Sequence, residues 1–192
     1  AKRVGTLRLR RQNAADKSIR LTADFEIEQG DKILQRSHAE IRCANDHLAS
    51  PEEWRYEGGT FRATGEPIPH TAIKGTARLN GKKLRFEGTG ANRQVAVEEP
   101  LTLNRCIFDA VQRLPRKAFD PVEFSMVDDL DQIRPRQRLS YREAFQTSAG
   151  VLHAYNQLGW GILPTTYWVN EQGRLLIATG GVMAYVLDTS QS

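Results

Sequence analysis

Ile19-Arg20-Leu21-Thr22-Ala23-Asp24-Phe25-Glu26-Ile27-Glu28 carries an apolar residue at every odd position and a polar one at every even position. Successive side chains on a strand point to opposite faces, so this alternation describes an antiparallel strand with one buried and one solvated face. The pattern spreads outward from it. Leu7 and Leu9 alternate with Arg8 and Arg10, and Ile33, Ala39, Ile41 and Cys43 share one face of the next stretch.

A hairpin follows. Ile73 to Leu79 alternates, Asn80-Gly81 interrupts, and Lys82 to Gly88 alternates again. Asn-Gly suits a two-residue turn with positive φ at both positions. That turn pairs Leu79 with Lys82, Ala77 with Leu84, Gly75 with Phe86 and Ile73 with Gly88. Phe86 then covers the bare backbone of Gly75, and Ile73 that of Gly88, where the sheet bends.

At the other end, Tyr167-Trp168-Val169 runs into Asn170-Glu171-Gln172-Gly173 and then Arg174-Leu175-Leu176-Ile177. Asn first and Gly fourth suit a type I turn closing into a glycine bulge. Gly180-Gly181 turns the chain again into Val182 to Leu187, which completes a three-stranded meander. Further strands are predicted over 53–62, 93–97, 122–127, 138–146 and 151–158. Pro67-Ile68-Pro69 and Arg134-Pro135-Arg136 read as loops.

One segment changes period. Ile107, Ala110, Val111 and Leu114 recur at helical spacing, Asn104 stands as an N-cap, and Pro115 stops the run. The spacing predicts a helix over 105–113. The fold class is therefore mainly β: a large curved antiparallel sheet, half-barrel or open barrel, of about ten strands, with one short helix on its concave side. No composition shift marks a second core, so residues 1–192 are read as a single domain.

The 192 residues are 40% hydrophobic and 26% charged, which is ordinary globular usage and excludes a disordered or disulfide-dense chain. No run nears the roughly 18 apolar residues of a membrane helix, so no transmembrane segment is expected. Lys plus Arg is 27 against 23 Asp plus Glu, a net charge of +4. The basic stretches 2–11, 113–117 and 134–138 alternate with apolar residues or sit at loops. They read as solvated faces, which argues against a nucleic-acid partner. The chain begins at Ala1 without a signal-like apolar stretch, as a processed exported protein would and as a trimmed chain would.

Chemistry-bearing motifs are sparse. Cys43 and Cys106 match no redox or zinc spacing and read as two buried thiols, with one disulfide as the alternative. His38, His47, His70 and His153 stand at no metal-ligand spacing. Asp128-Asp129-Leu130-Asp131 lacks the glycine and terminal glutamate of a calcium loop and reads as a solvated turn. Glu98-Glu99 points to opposite faces if extended. No nucleophile elbow or phosphate loop occurs, and Gly58-Gly59 and Gly159-Trp160-Gly161 open no helix. No catalytic residue, metal ligand or cofactor is assigned.

The aromatic residues are the remaining resource. Most are expected to fill the core. Trp54, Phe86, Phe108, Phe124, Tyr141, Trp160 and Trp168 are the candidates for lining an apolar cleft between sheet and helix, and Trp160 between its glycines is the candidate rim residue.

The order of features, long alternating strands, a central Asn-Gly hairpin, a mid-chain helix and the closing Tyr167-Trp168-Val169-Asn170-Glu171-Gln172-Gly173-Arg174-Leu175-Leu176 hairpin, resembles uncharacterised exported bacterial domains related to the lipoprotein-carrier half-barrels. The resemblance implies a half-barrel around a lid helix, a periplasmic or cell-envelope setting, a lipid or acyl ligand and no catalytic site. The expected function is thus a non-catalytic envelope domain binding an apolar ligand in the concave face. The alternatives are an envelope protein–protein interaction or scaffold module, using a strand edge, and an enzyme whose site gathers His38 or His153 with a carboxylate or cysteine.

Overall fold

The computed structural model describes residues 5–29, 33–89, 92–98, 100–128, 131–148, 150–181 and 183–188. Lys2, Glu99, Asp129, Leu130 and Val182, which the readings above include, lie outside the described residues. Seven strands follow one another in the first half: β1 (Gly5–Asn13), β2 (Ile19–Gln29), β3 (Ile33–Cys43), β4 (Pro51–Arg62), β5 (Ile73–Asn80), β6 (Lys83–Gly88) and β7 (Arg93–Ala96). They pair in sequence order as an antiparallel meander. The second half holds β8 (Leu101–Leu103), helix α1 (Asn104–Ala110) continued by a 3-10 turn (Val111–Arg113), β9 (Val122–Asp128), β10 (Gln132–Thr147), β11 (Gly150–Gly159), β12 (Thr165–Asn170), β13 (Leu175–Gly180) and β14 (Met183–Val186).

The chain is mainly β, with one short helix, as its alternation implies. Among the described residues it forms two sheets of seven strands in place of one sheet of about ten. The division falls where the short β7 ends and Pro100 precedes β8. β8 pairs parallel with β9, and a parallel pair needs a crossover, which α1 and the segment after it supply. Leu101–Leu103 escaped the sequence reading because three residues are too few to show a period. Contacts divide the chain into two compact units, Ala1–Asn45 with Ser50–Val97 and Asp46–Ala49 with Glu98–Ser192.

In the first unit the register lines up one buried row across the strands, Leu21, Ile41, Trp54, Ala77 and Phe86. Ala77 is the small residue in this row, so Trp54 reaches across it and meets Phe86 edge-on at 6.0 Å. Arg93 on β7 caps the row, its guanidinium 4.6 Å from the Phe86 ring.

The central hairpin forms, but its register differs from the expectation. Asn80 pairs with Lys83, Ala77 with Phe86 and Gly75 with Gly88. The two loop residues are Gly81 and Lys82, with positive φ at Gly81 alone (53°), the pattern of a type II′ turn. Every partner moves by two residues, so the faces are kept. Tyr56, not Phe86, covers Gly75: a Cβ there would come 2.7 Å from the Tyr56 hydroxyl.

In the second unit α1 packs on the sheet. Ile107, Val111 and Leu114 pack with Phe124, Met126, Leu139, Tyr155, Tyr167 and Val169. Leu48 from the β3–β4 loop belongs to this core, and Thr102 Oγ1 donates to its carbonyl at 2.8 Å. Asn104 is not the N-cap. Leu103 holds that place without a side-chain bond, because the helix starts directly out of β8, and the Asn104 amide donates to Asp128 on β9 at 2.8 Å. Arg134-Pro135-Arg136 is not a loop but a bulge within β10. The register jumps from Arg134–Met126 to Gln137–Phe124, Arg136 takes φ 54°, and a bulge tolerates a proline that cannot donate to the ladder. The closing meander has the expected turn: Gly173 N–H donates to Asn170 O at 2.9 Å, Gly173 has φ 85°, and the register shifts beside Val169.

No helix among the described residues is long and apolar enough to cross a membrane.

Candidate functional site

Most of the seven aromatic candidates are used in packing. Trp54 and Phe86 are buried against each other in the first unit. In the second, Phe124 is buried in the core under α1. Phe108 is half-buried on α1, edge-on to Tyr167 at 5.8 Å and to Tyr185 at 5.2 Å. Tyr141 stands edge-on to Tyr155 at 5.6 Å, and its hydroxyl lies 3.2 Å from His153 Nδ1. Trp168 points to the other face of the sheet, 5.1 Å from the Phe145 ring. Trp160 stands apart, 70% exposed in the β11–β12 turn.

The first unit carries a groove of about 680 Å³ on its charged face. Register brings Arg8, Asp24, His38, Glu57 and Lys74 into one row across five strands. His38 Nδ1 lies 2.7 Å from Asp24 Oδ1, and Lys74 Nζ 3.5 Å from Glu57. Arg36 pairs with Glu26 at 2.9 Å and lies 5.6 Å from the Phe61 ring. The groove thus gathers His38 with a carboxylate, the juxtaposition named for an enzyme. Two hydroxyl residues, Thr6 and Ser37, also line the groove. Three cations (Arg8, Arg36, Lys74) face three carboxylates (Asp24, Glu26, Glu57), which leaves little net field to hold an anion. Exposed pairs of this kind add little stability. Cys43 and Cys106 are buried thiols in different units.

A second feature was hidden in the sequence: a buried polar relay in the second unit. The Tyr167 hydroxyl donates to Gln157 Oε1 at 2.7 Å, and Gln157 Nε2 donates to Gln137 Oε1 at 3.3 Å. Gln137 Nε2 in turn donates to the Pro135 and Trp160 carbonyls, both at 3.0 Å. Gly159 has no side chain because Gln137 passes there; a Cβ would come 2.4 Å from its amide. The exposed Trp160 is therefore held by its backbone from within the core.

Burial, with smaller contributions from Tyr185 and Asp128, holds the Tyr167 phenol well above its ordinary range; burial raises Tyr155 too, against the opposing charge of Arg116. A phenol raised in the folded state keeps its proton there after the unfolded chain has lost it. The stability it contributes is fully present below about pH 10 and is lost as pH rises beyond that value. Denaturant midpoints measured against pH are expected to fall above about pH 10, with a shallower fall in Tyr167→Phe. An identical slope in the variant would remove Tyr167 from the account.

Exposure gathers elsewhere. Of seven exposed large hydrophobic residues among those described, six lie in the second unit: Leu158, Trp160, Leu163, Met183, Tyr185 and Val186. The pairing of Gln157 with Thr165, Thr165 with Gly180 and Gly180 with Met183 puts the β11–β12 and β13–β14 turns at one end of the sheet. A Cβ on Gly181 would come 2.5 Å from Leu163, so the two turns touch. β14 is exposed along its length. Trp160 was visible in sequence from its flanking glycines. Met183, Tyr185 and Val186 were not, since the continuous apolar run from 183 to 187 reads like a buried strand.

No family model matches the chain, and no curated protein does. Solved structures similar in fold include two domains of unknown function. A beta-barrel-like protein of the domain of unknown function DUF1849 from Brucella abortus aligns at a TM-score of 0.58 and 9% identity, over 96% of this chain and 88% of that one. A DUF1089 family protein from Pseudomonas aeruginosa aligns at 0.52 and 10% identity, over 95% and 91% respectively. At that identity the likeness is one of fold alone: the β fold of this chain is similar to that of these two domains of unknown function.

Proposed function

We propose that this protein is a non-catalytic docking module of the cell envelope, which takes a partner polypeptide at the apolar corner formed by the β11–β12 turn and β14. The observation that carries this reading is the gathering of six exposed large hydrophobic residues at one end and edge of a sheet. Contiguous exposed apolar surface marks interaction sites, and a Trp held from below by Gln137 reaches a partner with little ordering cost. The apolar-ligand function expected from the sequence has less support, because Phe108, Phe124 and Tyr141 pack against other aromatic or core residues beside α1. The envelope setting rests on the half-barrel resemblance, and fractionation of the source cells tests it.

A photo-reactive amino acid placed at Trp160 in those cells is expected to yield a protein adduct in the envelope fraction, whereas one at the exposed Lys17 is not. Trp160→Ser with Leu163→Ser is expected to lower capture of that protein about tenfold or more, as loss of a central aromatic anchor does. Fold stability should change by less than about 0.5 kcal/mol per site, since both side chains are exposed. Equal labelling from both positions, or adducts with lipid only, would overturn the reading.

A further inference from the structure

A second cavity, of about 490 Å³, lies wholly in the second unit and falls in the size range of small-molecule sites. Glu98, Glu123, Arg136 and Arg138 line it, and all four are exposed. Among the described residues none of the four makes an ion pair. Yet Arg138 on β10 stands directly opposite Glu123 on β9. In the first unit, charges opposed in this way close on each other: Glu26 on Arg36 at 2.9 Å, Glu57 on Lys74 at 3.5 Å and Glu53 on Arg78 at 3.7 Å. An exposed pair adds little stability, so leaving Arg138 and Glu123 open sacrifices little. Arg136 is aimed by the β10 bulge. Its φ of 54° lies in the left-handed region, a strained conformation for a residue with a side chain. The bulge is fixed from the core side, where Gln137 Nε2 donates to the Pro135 carbonyl at 3.0 Å. Bulges re-aim side chains beside functional sites, and this one turns an arginine to a cavity that already holds another.

We infer that this cavity binds a small zwitterion, an amino acid or short peptide that carries both a free ammonium and a free carboxylate. Arg136 and Arg138 take the carboxylate, since a guanidinium offers paired N–H donors that match its two oxygens. Glu98 and Glu123 take the ammonium. Two cations beside two carboxylates decide against simpler ligands. A plain anion is repelled by the glutamates as much as the arginines attract it, and a plain cation meets the reverse. A ligand carrying both signs satisfies all four groups at once. The charged groove of the first unit makes no such offer, because Asp24, Glu26 and Glu57 already lie against His38, Arg36 and Lys74. The inference stands apart from the docking reading, which uses none of these four residues.

The probes are the standard amino acids and the dipeptide Ala-Ala, each in large excess over the full chain. At least one is expected to raise the melting temperature and to saturate in a calorimetric titration, and the tighter class names the source. The methyl ester and the N-acetyl derivative of the best probe should each bind about tenfold more weakly or worse, since each deletes one charged end. Arg138→Gln is expected to lose most of the preference for the free acid over its methyl ester and to keep that for the free amine over its N-acetyl form. Glu123→Gln should do the reverse, which assigns the two ends of the cavity. Both side chains are exposed, so the melting temperatures without ligand should match the parent. A parent chain that no probe stabilises or titrates would overturn the inference. So would affinity indifferent to both derivatives or to both substitutions, and so would acetate or ethylammonium binding as tightly as the best probe.

Discussion

Trp54→Ala is expected to lower the unfolding free energy by about 3–5 kcal/mol, the range for removing a buried indole. Trp54 is 1% exposed on β4, the middle strand of its sheet, with Ile41 opposite on β3 and Ala77 opposite on β5. The neighbours on the β5 side are small, Ala77 and Gly75, so they have no reach to fill the space that the indole vacates. The lost transfer energy is then joined by a cavity term, and by the edge-on contact with Phe86 at 6.0 Å. Urea unfolding followed by circular dichroism should show the midpoint falling without a change in slope. Trp160→Ala is the matched control: the same chemistry at a 70% exposed position should cost less than about 0.5 kcal/mol. A Trp54→Ala loss under about 1.5 kcal/mol would mean that the row relaxes and that the packing account is wrong.

The strands of the first unit were legible because one of their faces is buried and the other wet, which writes period two into the chain. β2 and β3 start where the alternation starts, and the helix stops where Pro115 stops it. Three things were not legible, each for a physical reason. The register of the β5–β6 hairpin depends on which residue takes positive φ, and Gly81 took it alone where Asn80-Gly81 allowed another turn. The bulge at Pro135-Arg136 looks like a loop until β9 and β11 pair around it. The candidate site was half visible. Glycines single out Trp160, but whether Met183-Ala184-Tyr185-Val186 is central or marginal depends on what lies beyond β14. That is a property of strand order, and local sequence does not carry it. The aromatic candidates failed to separate for the same reason: Trp54 and Trp160 are the same residue type, and burial alone tells them apart.

The buried relay supports the second large expected effect. Gln157→Leu is expected to cost about 2–4 kcal/mol, because it strands the Tyr167 hydroxyl and the Gln137 amide oxygen in the interior without partners. Gln137 and Gln157 are buried at 0% and 2% exposure, and Tyr167 at 3%, so water does not replace what is lost. The test is a cycle with Tyr167→Phe. If the relay is one unit, Gln157→Leu combined with Tyr167→Phe removes donor and acceptor together and costs clearly less than the sum of the two single changes. Strict additivity would show that Gln157 and Tyr167 act independently. The relay also ends on the Trp160 carbonyl, so its loss should be felt at the surface. Amide exchange in the β11–β12 turn is expected to quicken in Gln157→Leu, and more so in Gln137→Leu, which lets go of the turn directly. Partner capture through Trp160 should fall in the same order although neither glutamine is exposed. Exchange confined to global unfolding, with the turn as protected as before, would leave Gln137 a core residue with no hold on the docking corner.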